Sequence, residues 1–279
     1  MKLNTASGKR AYVYTGNQSL DTDLPAIVFI HGAQNDHSVW SQQSRYFAHH
    51  GFRVLAIDLP GHGASDGPAL TTINEMADWI AALLDLLKIE QATLVGHSMG
   101  SLIALACSYR HPKRVAALAL VGSAFPMQVS DQLLEAAAND EHAAIDMICN
   151  WSHSGLTFVP GTPGFSPYMM SKRLMQRQKP GLLLTDFNAC NNWTDGLDAA
   201  AACRCPVVII AGANDMMTPP RAMTQMRDAI SQSAQTLALD SPEMIVLPAC
   251  GHSIMSERPS ELLDCLITFT RRLEQALAP

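Results

Sequence analysis

The sequence predicts an α/β fold, a mostly parallel sheet flanked by helices, with a helical cap inserted before its last strands. Three observations carry that expectation. Short apolar runs recur at 26–30, 53–57, 92–95, 115–121, 206–212 and 244–247, as expected of strands buried on both faces. Helix-compatible stretches separate the early runs, and strand–helix alternation builds a parallel sheet. The alternation stops at Gly122, so residues 124–202 read as an inserted cap in a core of residues 1–123 and 203–279.

In chain order, Leu3 and Ala11 to Tyr14 read as arms of an edge hairpin turning at Ser7-Gly8-Lys9. Ala26 to Ile30 is the first buried strand and runs into His31-Gly32-Ala33. Val39 to His50 reads as a helix stopped by Gly51. After the strand Arg53 to Ile57, a glycine-dominated loop holds Asp58, His62 and Asp66. Its spacing favours a hydrogen-bonded loop over a metal site. Thr72-Ile73-Asn74-Glu75 is a capping box. Behind it Ile73, Met76, Ala77, Ile80, Leu83, Leu84 and Leu87 share one helical face, which predicts core packing.

The inserted segment carries amphipathic pieces at 131–150 and 171–178 and a Pro/Gly-rich stretch at 159–164. Its aromatics and methionines form an apolar lid in this reading. Trp151, Phe158, Met169, Met170 and Trp193 are the candidate substrate-binding residues. The closing helix from Pro259 turns Leu262, Leu263, Leu266, Ile267, Leu273 and Leu277 inward.

Composition narrows the function. With 279 residues and 48% hydrophobic content, the chain can bury a large core. Charged residues make up only 16%, the net charge is −6, and no basic block is present, which argues against nucleic-acid and anionic-membrane partners. The first residues hold no apolar run of signal-peptide type, and no stretch reaches membrane-span length. The seven cysteines are scattered, and Cys203-Arg204-Cys205 has the wrong spacing for zinc. They read as reduced thiols in a cytoplasmic protein with no metal and no cofactor. The expected partner is a small-molecule substrate, and oligomeric state is not legible.

Chemistry concentrates at Gly96-His97-Ser98-Met99-Gly100, between the apolar run Ala92 to Val95 and the helix-compatible run Ser101 to Cys107. A sharp strand-to-helix turn strains its central residue and demands small neighbours, here Gly96 and Gly100. It holds the Ser98 hydroxyl clear of the backbone, with a free Met99 N–H beside any oxyanion that forms. This pentapeptide is a G-x-S-x-G nucleophile elbow, and from it the chain resembles the α/β-hydrolase fold family. The resemblance implies that His31-Gly32 turns the backbone so that Ala33 supplies a second oxyanion N–H. His31 itself reads as a hydrogen-bonding support. Asp215, after the 206–212 strand, and His252, after the last strand, complete the family's chain order of Ser, Asp, His. Ser98 needs a base, His252 can take and return its proton, and Asp215 would orient the imidazole. Ser101 stands where many members have Gly or Ala.

The expected activity is cleavage of a carboxylic ester of a small, largely apolar substrate through an acyl-enzyme. Haloalkane dehalogenases and epoxide hydrolases of this fold place Asp at the elbow, so those activities are not expected. Two alternatives stand beside the ester reading. One is a carbon–carbon bond hydrolase or enol-lactonase of aromatic degradation, which would need a cationic wall facing the serine. Lys172, Arg173, Arg177 and Lys179 fall on a helix that reads as exposed, so the apolar lining is preferred. The other is a receptor or binding protein that keeps the three residues and uses the pocket for recognition.

Overall fold

Eight strands form one sheet in the order β1-β2-β4-β3-β5-β6-β7-β8 in the computed structural model, which describes residues 1–5, 8–20, 22–155 and 166–277. The edge hairpin is β1 (Lys2–Asn4) and β2 (Arg10–Tyr14), antiparallel to each other, and β2 in turn pairs antiparallel with β4 (Arg53–Ile57). From β4 onward every pair is parallel, through β3 (Ala26–Ile30), β5 (Ala92–His97), β6 (Val115–Val121), β7 (Val207–Gly212) and β8 (Glu243–Leu247).

The two-residue period of these strands divides the core. Val28, Ile30, Leu94, Leu118 and Ile209 pack beneath α2 (Ile73–Leu86), α3 (Met99–Arg110) and α9 (Thr224–Thr236). Ile27, Phe29, Val95, Ala119 and Ile210 face the opposite way, toward α1 (Ser41–Ala48) and α11 (Pro259–Leu277). Helices on both faces explain why β3 and β5 are buried at every position. Thr72 caps α2 as the sequence predicts: its side chain accepts from Glu75 N, and Glu75 reaches back to Thr72 N.

Between β6 and β7 come α4 (Asp131–Asn139), α5 (Glu141–Ser152), α6 (Pro167–Gln176), α7 (Leu182–Asn191) and α8 (Gly196–Ala201). The amphipathic stretch at 131–150 is two helices. Asp140 breaks it with an extended φ of −148° and caps the second helix by accepting from Ala143 N. Leu133, Ile145, Cys149, Met175, Leu183 and Phe187 give this segment a small core of its own. Its last part belongs elsewhere. Trp193, Ala199 and Ala200 join the main core, so the material after α7 packs with the sheet. All seven cysteines are free. No helix among the described residues is long and apolar enough to cross a membrane.

Candidate active site

β5 ends at His97, and the next residue turns the chain abruptly. Ser98 has φ 53° and ψ −121°, outside the regions an L-residue favours. The neighbours explain how the turn fits: a Cβ on Gly96 would lie 2.1 Å from Gly100 O, and one on Gly100 would lie 2.4 Å from Ile30 O. No side chain fits at either place, so the serine rides on a corner wedged against the end of β3. Met99 opens α3, whose first N–H groups have no partner within the helix and point toward the corner. Ser101 donates to Ser98 O at 2.5 Å and lies 2.6 Å from Ser123 Oγ, bracing the corner from behind.

His252 follows β8, and Asp215 follows β7. His252 Nδ1 donates to Asp215 Oδ2 at 2.8 Å. The carboxylate also accepts from Met217 N at 2.8 Å, Thr218 N at 2.7 Å and Thr218 Oγ1 at 2.7 Å. Burial alone would raise the Asp215 pKa, but the His252 charge and these donors hold it down at about 2. The backbone of His252 is anchored as well. His97 Nε2 donates to His252 O at 2.9 Å, and burial keeps His97 neutral, its pKa lowered to about 3.

His31 lies under the loop that follows β3. Leu59 N donates to its Nε2 at 3.2 Å, and its Nδ1 donates to Gly32 O at 2.8 Å. Those partners require a neutral ring, and burial lowers its pKa to about 4. The carboxylates and histidine of the 58–67 loop point apart. Asp58 accepts from His37 and Ala64 N, Asp66 pairs with Arg10, and His62 turns to Asp186.

A cavity of about 550 Å³ opens over these groups. Gly32, Ala33, Ser98 and His252 line it, together with Ile148, His153, Leu183 and Phe187 from the segment between β6 and β7. Met170 lines it too, as the sequence predicts. The other expected lining residues stand differently. Trp151 and Met169 are not among the lining residues, and Met169 is 44% exposed. Trp193 is buried away from the cavity, its ring 5.6 Å from Phe125 and its Nε1 donating to Asn74. Phe158 lies outside the described residues. Period and composition picked out aromatics, but packing sent Trp193 into the main core and set Trp151 against the small core of the insertion.

Residues not expected in the lining fill their places. His153 lines the cavity with Nδ1 donating to Cys149 O at 2.9 Å, which leaves Nε2 to accept from Ser171 Oγ at 3.2 Å. Burial lowers its pKa. Arg173 and Arg177 line the cavity despite their exposed helix, together with Asn35 and Ser38. Arg177 pairs with Asp36 at 2.7 Å. The rim is therefore more cationic than the sequence implies.

The model for the alpha/beta hydrolase fold matches residues 25–259. The 2-hydroxymuconate semialdehyde hydrolase of Pseudomonas sp. (strain CF600) is 28% identical over 247 residues, covering 80% of this chain and 78% of that one. Several other curated relatives are matched over only 29% to 63% of their own length, whereas the pimeloyl-[acyl-carrier protein] methyl ester esterase of Nitrosomonas europaea, 25% identical, is matched over 94% of its length. Among solved structures, the enol-lactonase of Burkholderia xenovorans LB400 superposes with a TM-score of 0.82 at 21% identity, covering 97% of this chain and 100% of that chain. A thermophilic esterase from Thermogutta terrifontis, solved with malate bound, gives 0.81 at 21% identity, with 98% of each chain covered. By the family match, its parallel sheet and its elbow, the chain belongs to the alpha/beta hydrolase fold family and is a hydrolase.

Proposed function

We propose that this hydrolase cleaves a carboxylic ester of a small, largely apolar substrate through an acyl-enzyme. Ser98 is the nucleophile, His252 the base that takes its proton and returns it to the leaving alcohol, and Asp215 the group that fixes the imidazole. Ala33 and Met99 offer the backbone N–H groups to the oxyanion. The observation that carries this reading is the His252–Asp215 pair at 2.8 Å, whose His252 lines one cavity with a serine held at positive φ. An Asp215 carboxylate with every acceptor position filled can orient the ring but is poorly placed to take a proton from it. Apolar walls from Ile148, Leu183 and Phe187 suit a neutral acyl chain. Hydrolysis of p-nitrophenyl esters across a chain-length series, with and without a serine-directed phosphonate, tests it. The expected result is turnover that stops as the label appears on Ser98. A label on another serine refutes the assignment, and tight ligand binding with negligible turnover favours the receptor alternative.

One observation favours the carbon–carbon hydrolase or enol-lactonase reading as a second choice. Arg173 lines the cavity and forms no ion pair among the described residues. An arginine at the rim of an apolar pocket is suited to a substrate carboxylate. Comparing an ester bearing a distal carboxylate with its neutral counterpart separates the two readings.

A further inference from the structure

The proposed oxyanion donor Ala33 sits between two peptide groups, one tied down from within the turn and the other by a residue from far along the chain. On one side is the Gly32–Ala33 peptide, which carries the Ala33 N–H, and its oxygen accepts from His31 Nδ1 at 2.8 Å. On the other side, Gln34 N–H donates to Asp186 Oδ2 at 2.8 Å, and Ala33 O accepts from Asn35 Nδ2 at 3.1 Å. Asp186 belongs to α7 of the insertion. The insertion also holds the Gln34 side chain, whose Nε2 donates to Glu141 of α5, while Glu141 Oε2 accepts from Gly181 N at 2.8 Å.

This grip meets a need of the backbone. Gln34 has φ 51°, a left-handed conformation that a long side chain disfavours and that persists only where surrounding bonds hold it. Asp186 is suited to the task because its charge is matched. His62 Nε2 donates to the same Oδ2 at 2.9 Å, and both side chains are wholly buried. His62 Nδ1 faces Pro60 O at 3.1 Å, which can only accept, so both ring nitrogens donate and the ring is a cation. A fully buried ion pair contributes little net stability. Here it presents one charged acceptor to the N–H next to the oxyanion donor.

We propose that Asp186 is a positioning residue, a carboxylate of the insertion that aims the Ala33 N–H at the oxyanion, so that the insertion completes the active site as well as covering it. This rests on the reading of Ser98 as nucleophile and Ala33 as donor. In the full chain, Asp186→Ala lowers kcat on an activated ester by about tenfold or more, with KM changed less than about twofold. The affinity for a trifluoromethyl ketone, whose serine adduct carries the oxyanion, falls by the same factor as kcat/KM. Asp186→Asn, which keeps an oxygen for Gln34 N–H, recovers most of kcat. Amide exchange at Gln34 speeds up in the Ala variant. If Asp186→Ala fails to fold because His62 is left a lone buried cation, the double variant His62→Leu with Asp186→Leu removes both charges and carries the same expectations. A folded variant with wild-type kcat and ketone affinity, or a loss confined to KM, overturns the proposal. If the wild type neither turns over esters nor takes a phosphonate on Ser98, the reading of the site fails separately. Gln34 exchange then decides: faster exchange supports the role of Asp186 as the clamp on this loop, and unchanged exchange overturns it.

Discussion

Gly251 N–H donates to Glu257 Oε1 at 2.9 Å, one residue before the candidate base His252. The other oxygen of Glu257 accepts from Ser154 N at 2.8 Å and Ser154 Oγ at 2.6 Å, at the end of α5. Ser253 N donates to Ser152 O at 2.9 Å on the far side of His252. The histidine loop is thus fastened to the insertion through a buried carboxylate, as the loop of Ala33 is through Asp186.

Glu257→Gln tests that fastening. Each oxygen faces N–H or O–H donors, so an amide NH2 must oppose one of them, which costs about 1–3 kcal/mol for a buried donor left unpaired. We expect a lower melting temperature and a kcat reduced about tenfold with KM nearly unchanged. Wild-type kinetics in the folded variant would show that His252 needs no such support.

Asp215→Asn leaves the shape of the site intact but removes the charge that holds the imidazole. The loss in kcat is expected at about 10⁴-fold, with folding preserved. Of the carboxylates that might substitute, Asp186 is engaged with His62 and Gln34 N. Because Asp215 stays ionised down to about pH 2, it does not titrate on the acid limb of the rate profile. An unaffected variant would place the orienting acid elsewhere.

Stability should depend on the protonation of His62. Burial alone lowers its pKa, but the Asp186 carboxylate and the bond to it raise the net value above 6.5, with His31 and Asp58 also facing the ring. The folded state therefore binds the proton more tightly than the unfolded chain. The stabilisation is complete below pH 6.5 and is lost as pH rises through the raised folded value. Measured as the melting-temperature gap between wild type and His62→Gln, it should shrink on going alkaline. A gap that widens would reverse the sign and contradict a charged ring.

Arg173→Ala separates substrate classes. Under the ester proposal, turnover of a neutral ester changes less than about threefold, because the guanidinium stands at the rim. A substrate carrying a carboxylate should lose about tenfold or more in kcat/KM if Arg173 binds it. Abolished neutral-ester turnover in a folded variant would displace the ester reading.

By itself the sequence determined the sheet, the elbow and the chain order of Ser98, Asp215 and His252. Those features are local: buried parallel strands are written as continuous apolar runs, and a strained corner is written as Gly-x-Ser-x-Gly. Tertiary structure alone decided what surrounds them. Trp193 and Met170 look alike as apolar residues of one segment, yet packing buries the first against Phe125 and leaves the second at the cavity. Arg173 and Arg177 read as a solvated helix face, and only the fold brings that face to the rim. Asp186 and Gln34 are 152 residues apart, and no local period links them. Their bond exists because a helix of the insertion docks on a loop of the sheet, a long-range contact that spacing in one sequence does not encode.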